Sequence, residues 1–252
     1  MIADRLNPVV LITGASARSG ATFARILASR AQGGLILADA DDTALGAIAD
    51  ELESRGAAPE RVSTLAFDAA DEQRWGQAEA FIESQYGRLD WAVIDIGAAP
   101  PATDNDLVQW GRPSSPPIDT AYLSLRAVMR LMQRNSNGAA VIVAAPAALL
   151  TEKDAVLPRL ITSASKEAAH DNIRINTLVL DPGDAWPYAP RFDDLVAQGG
   201  GERAALDLIT AMGTPTIRYA TAGDITPIAA ILLSDSSALT GATILVDGGH
   251  AL

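Results

Sequence analysis

Short apolar runs alternate with longer amphipathic segments along the sequence. The runs are rich in Val, Ile and Leu and are about four to eight residues long, which is typical of strands buried on both faces of a sheet. The segments between them are long enough for the helical crossovers that parallel strands require. The pattern predicts an α/β fold with one doubly wound parallel sheet of about seven strands and helices on both faces.

The chain has 252 residues, is 48% hydrophobic and carries a net charge of −12. This length and composition predict a single domain over residues 1–252. The negative charge repels phosphate backbones and anionic lipid, so we expect no nucleic-acid partner and no membrane partner. The chain has no cysteine, and its two histidines lack metal-ligand spacing, so we expect no metal site. Without an evident leader or an apolar run of about 20 residues, we expect a cytoplasmic protein.

A glycine-rich segment, "TGASARSG" (Thr13–Gly20), lies between the first predicted strand and the first predicted helix. Such a turn allows a pyrophosphate to approach backbone N–H groups at a helix N-terminus. Asp39 ends the second predicted strand, where a carboxylate can accept both hydroxyls of an adenosine ribose, which favours NAD(H) over NADP(H). The alternative interpretation is a plain tight turn beside a solvated aspartate.

Over nearly its whole length the sequence resembles the short-chain dehydrogenase/reductase family, whose fold is a single Rossmann-type sheet. Thr13, Gly14 and Gly20 match the family motif TGxxxGxG, "IRIN" (Ile173–Asn176) resembles the strand IRVN, and "TGATILVDGG" (Thr240–Gly249) resembles the C-terminal strand. The resemblance implies a substrate lid over residues 184–222. It implies cofactor contacts at Gly14, Ser16, Arg18, Gly20, Asp39, Asp68, Gly97, Pro182 and Gly183.

Arg18 stands at the middle glycine of the motif, as in a branch of the family that tends to use the phosphorylated cofactor. That tendency conflicts with Asp39, and an Arg18–Asp39 ion pair would reconcile the two residues.

The catalytic Asn, Ser, Tyr and Lys of the family are missing from the aligned positions, where the chain has Pro117, Ala145, Leu150 and Asp154. The last two positions follow from counting backwards from "IRIN", because the preceding helix has a nearly constant length in the family. Ala145 and Leu150 cannot donate a proton, and Asp154 reverses the local charge. We therefore expect no catalytic residue of the family's kind.

Two other registers are open for the Tyr and Lys positions. "TSASK" (Thr162–Lys166) resembles the family's Tyr-Ser-Ala-Ser-Lys, but Lys166 lies only seven residues before Ile173, too few for a crossover helix. A slip of one residue would place Lys153 at the Lys position, still without a phenol. Thr151 and Asp154 also have the spacing of a capping box, which explains the start of a predicted helix at 151–169 structurally.

We interpret the chain as a catalytically degenerate family member that retains NAD(H) binding and acts as a structural or regulatory subunit beside an active paralogue. The resemblance implies a homo- or hetero-oligomer formed through helices 118–134 and 151–169 and the C-terminal strand. One alternative is an NAD(P)-dependent oxidoreductase with a non-standard or partner-supplied proton donor. Another is a non-redox enzyme of the lyase or dehalogenase type that uses Asp95, Asp154 or Tyr188.

Overall fold

The computed structural model describes residues 7–96, 116–145, 156–180, 221–235 and 237–249. These residues form one sheet of seven strands in the order β3-β2-β1-β4-β5-β6-β7, and every neighbouring pair is parallel. The strands are β1 Val9–Thr13, β2 Gly34–Asp39, β3 Val62–Ala66, β4 Trp91–Asp95, β5 Gly138–Ala144, β6 Ile173–Leu180 and β7 Thr243–Val246. The sheet confirms the predicted doubly wound architecture.

Six α-helices lie within the described residues. They are α1 Arg18–Leu27, α2 Asp42–Ser54, α3 Glu72–Tyr86, α4 Pro116–Gln133, α5 Val156–Ala169 and α6 Ala222–Leu233. Helices α4 and α5 correspond to the predicted helices 118–134 and 151–169, of which residues 151–155 lie outside the described residues. Helix α6 has no counterpart among the elements named from the sequence.

The helices cover both faces of the sheet. Helices α3, α4 and α5 pack on one face, where Trp75 and Met132 are buried. Helices α1, α2 and α6 pack on the other, where Phe23 and Leu45 are buried. Burial on both faces explains why the strands are apolar almost without interruption. None of the described helices is both long enough and apolar enough to cross a membrane.

The strand order predicts a ligand crevice between β1 and β4. The chain passes outward from β1 to β2 and β3, then returns to pair β4 with the other side of β1. In open sheets of this kind, ligands bind outside the carboxyl ends of the strands at such a reversal. The residues that follow β1, β2, β4 and β5 are therefore the candidates for a functional site.

Candidate functional site

The turn after β1 is held tightly against the end of β4. Gly14 has a φ of +63°, and an added Cβ would lie 2.9 Å from the Cβ of Asp95. A Cβ on Gly20 would lie 2.1 Å from the carbonyl oxygen of Gly14. The first glycine is therefore required by backbone conformation and close contact, and the second by the approach of α1 to the turn. Both positions are packed so closely against neighbouring atoms of the chain that no larger residue fits, and this packing holds the start of α1 against the turn.

Asp39, the last residue of β2, fixes the position of this turn. Its Oδ2 accepts a hydrogen bond from the Ser16 N–H at 3.0 Å, and its Oδ1 accepts one from the Asp41 N–H at 3.2 Å. An ionised carboxylate can accept about four hydrogen bonds, so Asp39 retains capacity for the two hydroxyls of a ribose. The predicted Arg18–Asp39 ion pair falls outside the described part of the structure.

Asp68 lies at the same edge of the sheet, just beyond β3. The Phe67 N–H donates to the carbonyl oxygen of Asp39 at 2.8 Å, which brings the two strand ends together. Asp68 is exposed, and its Oδ1 accepts from the Ala70 N–H at 2.9 Å. The structure therefore places Gly14, Ser16, Gly20, Asp39 and Asp68 around one rim of the crevice, and their role in binding a cofactor stays a prediction.

Asp95 ends β4 and is only 7% exposed. Its carboxylate accepts a hydrogen bond from the hydroxyl of Ser19, in the first turn of α1. This contact joins residues 76 positions apart, and nothing in the sequence near Ser19 indicates it. Because the carboxylate is buried and bonded to α1, this geometry does not favour the hypothesis that Asp95 acts as the acid or base of a non-redox enzyme.

Two of the four positions that correspond to the family's tetrad are described. Ala145 directly follows β5 and is half-buried, so this strand end presents a methyl group and no hydroxyl. Pro117 is the second residue of α4, where a missing N–H is tolerated because the first turn has no intrahelical acceptors for it. At this position the helix presents no side-chain amide or hydroxyl.

Helix α4 runs back along the sheet from the rim of the crevice. A Cβ on Gly138, at the start of β5, would lie 2.4 Å from the sulfur of Met132, near the end of α4. The beginning of α4 is therefore at the opposite end of the sheet from Gly138, on the same side as Ala145.

Other predicted site residues lie outside the described residues. They are Gly97, Leu150, Lys153, Asp154, Pro182, Gly183 and Tyr188, together with the capping box that begins at Thr151 and the lid at 184–222 except for its last two residues, which begin α6.

The "TSASK" register is incompatible with the structure. Thr162 and Lys166 lie in α5, and both are exposed. The Thr162 hydroxyl donates to the carbonyl oxygen of Pro158 at 2.8 Å. Lys166 lies in the last turn of α5, which leads into the amino end of β6. Gly14 and Asp39 lie at the other end of the strands, at the carboxyl ends of β1 and β2. Lys166 therefore cannot hold a cofactor at the crevice.

Comparison with known proteins agrees with this geometry. The family model described as "Enoyl-(Acyl carrier protein) reductase" matches residues 14–251. The chain is 27% identical over 264 residues to levodione reductase of Leifsonia aquatica, covering 96% of this chain and 94% of that protein. It is 27% identical over 266 residues to the A-factor type gamma-butyrolactone 1'-reductase of Streptomyces virginiae, covering 100% and 97%.

Solved structures share the fold. The crystal structure of levodione reductase matches with a TM-score of 0.74 at 22% identity, over 97% of this chain and 98% of that one. NAD+-bound xylitol dehydrogenase matches with a TM-score of 0.73 at 21% identity, over 96% and 98%. The family match over nearly the whole chain and the sheet order lead to one assignment: the chain belongs to the short-chain dehydrogenase/reductase family of oxidoreductases.

Proposed function

We propose that the chain is a dinucleotide-binding family member that lacks the family's own proton donor. It binds NAD(H) through the adenosine half of the crevice and acts as a structural or regulatory subunit beside an active relative. The observation that carries this proposal is the contrast between the two sides of the crevice. Asp39 and the two turn glycines are in place on one side, while Ala145 and Pro117 stand on the other.

The turn at Gly14 and Gly20 suits a dinucleotide, because the close packing at both glycines holds the N-terminus of α1 against the turn, where backbone N–H groups can bind a pyrophosphate. Asp39 would hold the adenosine ribose, and its charge would disfavour a 2′-phosphate. NAD(H), when bound, supplies or accepts a hydride. Gly97, Pro182 and Gly183 remain predicted contacts of the same cofactor.

The residues at the positions of the family's proton-donating group argue against ordinary catalytic turnover. Carbonyl reduction requires an acid that donates a proton beside the hydride site. Ala145 has no ionisable or hydroxyl group, and the aligned positions further along the sequence hold Leu150 and Asp154. A carboxylate at the lysine position would raise the pKa of a neighbouring acid rather than lower it. Replacement of all four positions supports a loss of selection for catalysis.

A subunit role also needs a surface for a partner, and we assign it to the groove between α4 and α5. The groove has a volume of about 400 Å³ and is lined by Tyr122, Leu125, Arg126, Met129, Leu160 and Ser163, among others. Tyr122 is 47% exposed, and the Arg126 guanidinium lies 5.4 Å from the centre of its ring. Exposed aromatic and arginine side chains of this kind are enriched in protein interfaces.

The second candidate function is an active oxidoreductase whose proton donor is non-standard or comes from a partner subunit. The relatives favour it, since those that match over nearly the full chain include a levodione reductase and a gamma-butyrolactone 1'-reductase. The first candidate predicts that the nicotinamide adds little to binding affinity. The second predicts that the nicotinamide is held in the site and takes part in hydride transfer.

Calorimetric titration of the purified protein separates the candidates. NAD, NADH, NADP and NADPH are compared with ADP-ribose, which lacks the nicotinamide. We expect NAD and ADP-ribose to bind with similar affinity and NADP to bind more weakly, with no change in nicotinamide absorbance when ketone or alcohol substrates are added. Much tighter binding of NADH than of ADP-ribose, or measurable turnover, would favour the oxidoreductase. Absence of all binding would leave a cofactor-free structural role or the non-redox enzyme of the lyase or dehalogenase type.

A further inference from the structure

Two carboxylates bracket the turn between β1 and α1. Asp39 holds it from the β2 side through the Ser16 N–H, and Asp95 holds it from the β4 side through the Ser19 hydroxyl. Asp39 is half-buried, whereas Asp95 is buried. The ring of groups that would surround a pyrophosphate at this turn therefore contains two acids.

Asp95 lies close to the place where a phosphate would be held. Ser19 is the second residue of α1, and N–H groups in the first turn of a helix point toward a bound anion. The Ser19 hydroxyl and the Ser19 N–H belong to one residue, so the Asp95 carboxylate is within about 6 Å of that N–H. Helix α1 has no acidic residue in its own first turn, and its N-cap residue, Ala17, has no side-chain oxygen that could cap the free N–H groups. Asp95 thus supplies negative charge to this helix end from another strand.

The carboxylate is fixed in place by backbone packing. Gly14 lies against Asp95 so closely that an added Cβ would be 3.1 Å from the carbonyl oxygen of Asp95 and 3.4 Å from its carboxyl carbon. Because the turn, the strand end and the helix meet around this side chain, it has little room to withdraw when a ligand enters.

We propose that Asp95 is a specificity-determining residue that weakens the hold of the Gly14–Gly20 turn on a pyrophosphate. The site then favours ligands that make good adenosine contacts and carry little negative charge. The inference rests on the proposed function, because it concerns the same nucleotide site. A like charge within about 6 Å in a partly buried crevice is expected to lower affinity by about tenfold.

The test replaces Asp95 with Asn, which removes the charge, keeps the shape and retains an oxygen that can accept from Ser19. Adenosine and ADP-ribose are titrated calorimetrically into the wild type and into Asp95→Asn. We expect ADP-ribose to bind about tenfold more tightly to the variant and adenosine to change by less than about twofold. Asp42→Asn is the matched control, because Asp42 is exposed in α2 and its loss changes the net charge equally. We expect both affinities of this control to stay within about twofold of wild type.

The outcomes distinguish this inference from the proposed function. If wild type binds ADP-ribose but a folded Asp95→Asn binds it no more tightly, the inference is overturned while nucleotide binding stands. An equal gain for adenosine and ADP-ribose also overturns it, because the effect would not depend on the pyrophosphate. Binding of neither ligand to either protein overturns both. Thermal melting verifies the fold, and Asp95→Ser provides a second neutral variant if the Asn variant does not fold.

Discussion

At the scale of single residues, Asp39 is the clearest determinant of cofactor choice. Its carboxylate orders the turn through Ser16 and Asp41 and is the group expected to meet a ribose. Asp39→Asn keeps one acceptor oxygen but loses the charge that repels a 2′-phosphate. We expect NAD affinity to fall about fivefold to tenfold and the NAD-to-NADP affinity ratio to fall at least about tenfold. Calorimetry on the variant and on Asp42→Asn measures both, and an unchanged ratio would remove Asp39 from the specificity argument.

The same residues show what could be predicted about the site from sequence. Gly14 and Asp39 lie at strand ends that the apolar runs mark, and Gly20 lies in the first turn of α1, so their meeting at one rim follows from the strand–helix alternation. The Ser19–Asp95 hydrogen bond could not be predicted in this way. It depends on β4 pairing beside β1 and on the rotation of α1 about its axis. The residues near Ser19 indicate neither of these.

At the scale of elements, α6 is the helix that sequence reasoning missed. Its sequence, "AGDITPIAAILL", contains Gly223 and Pro227, and its apolar residues are nearly continuous rather than spaced on one face. Both features disfavour an amphipathic helix. The available signal was the start of the element, where the Thr221 N–H donates to the Asp224 carboxylate at 2.9 Å. Thr221 and Asp224 together form a capping box at this helix start.

The end of α6 depends on Arg174, which lies on β6. Its guanidinium donates to the carbonyl oxygens of Leu232 at 2.7 Å and Ser234 at 2.8 Å, and burial lowers its pKa. Arg174→Met keeps much of the side-chain volume but leaves these carbonyls without their donor. We expect the free energy of unfolding to fall by about 1–3 kcal/mol, measured by urea denaturation. Arg30→Met is the control, since Arg30 is exposed. If the free energy of unfolding fell equally in the two variants, the hydrogen bonds from Arg174 to the end of α6 would contribute nothing to stability.

At the scale of the whole molecule, strand number and layer arrangement followed from the alternating pattern, because each apolar run needs cover on both faces. Assembly does not follow from that pattern, since it depends on which surface remains uncovered after folding. The α4–α5 groove is such a surface. In a two-fold symmetric interface each residue of this groove meets the same surface of the other copy, so one substitution acts twice.

Ser163 provides the test of assembly through this groove. It is exposed and lies among the groove residues, and Ser163→Arg adds bulk and a positive charge close to Arg126 and Arg130. We expect light scattering after size-exclusion chromatography to give a dimer or larger species for wild type and a smaller species for the variant. Overpacking at two symmetry-related contacts corresponds to a loss of about 2–6 kcal/mol of association free energy. Ser84→Arg, on an exposed position of α3, should leave the assembly unchanged. An assembled Ser163→Arg would place the contacts between copies on another surface, and a monomeric wild type would show that the groove does not join two copies of this chain.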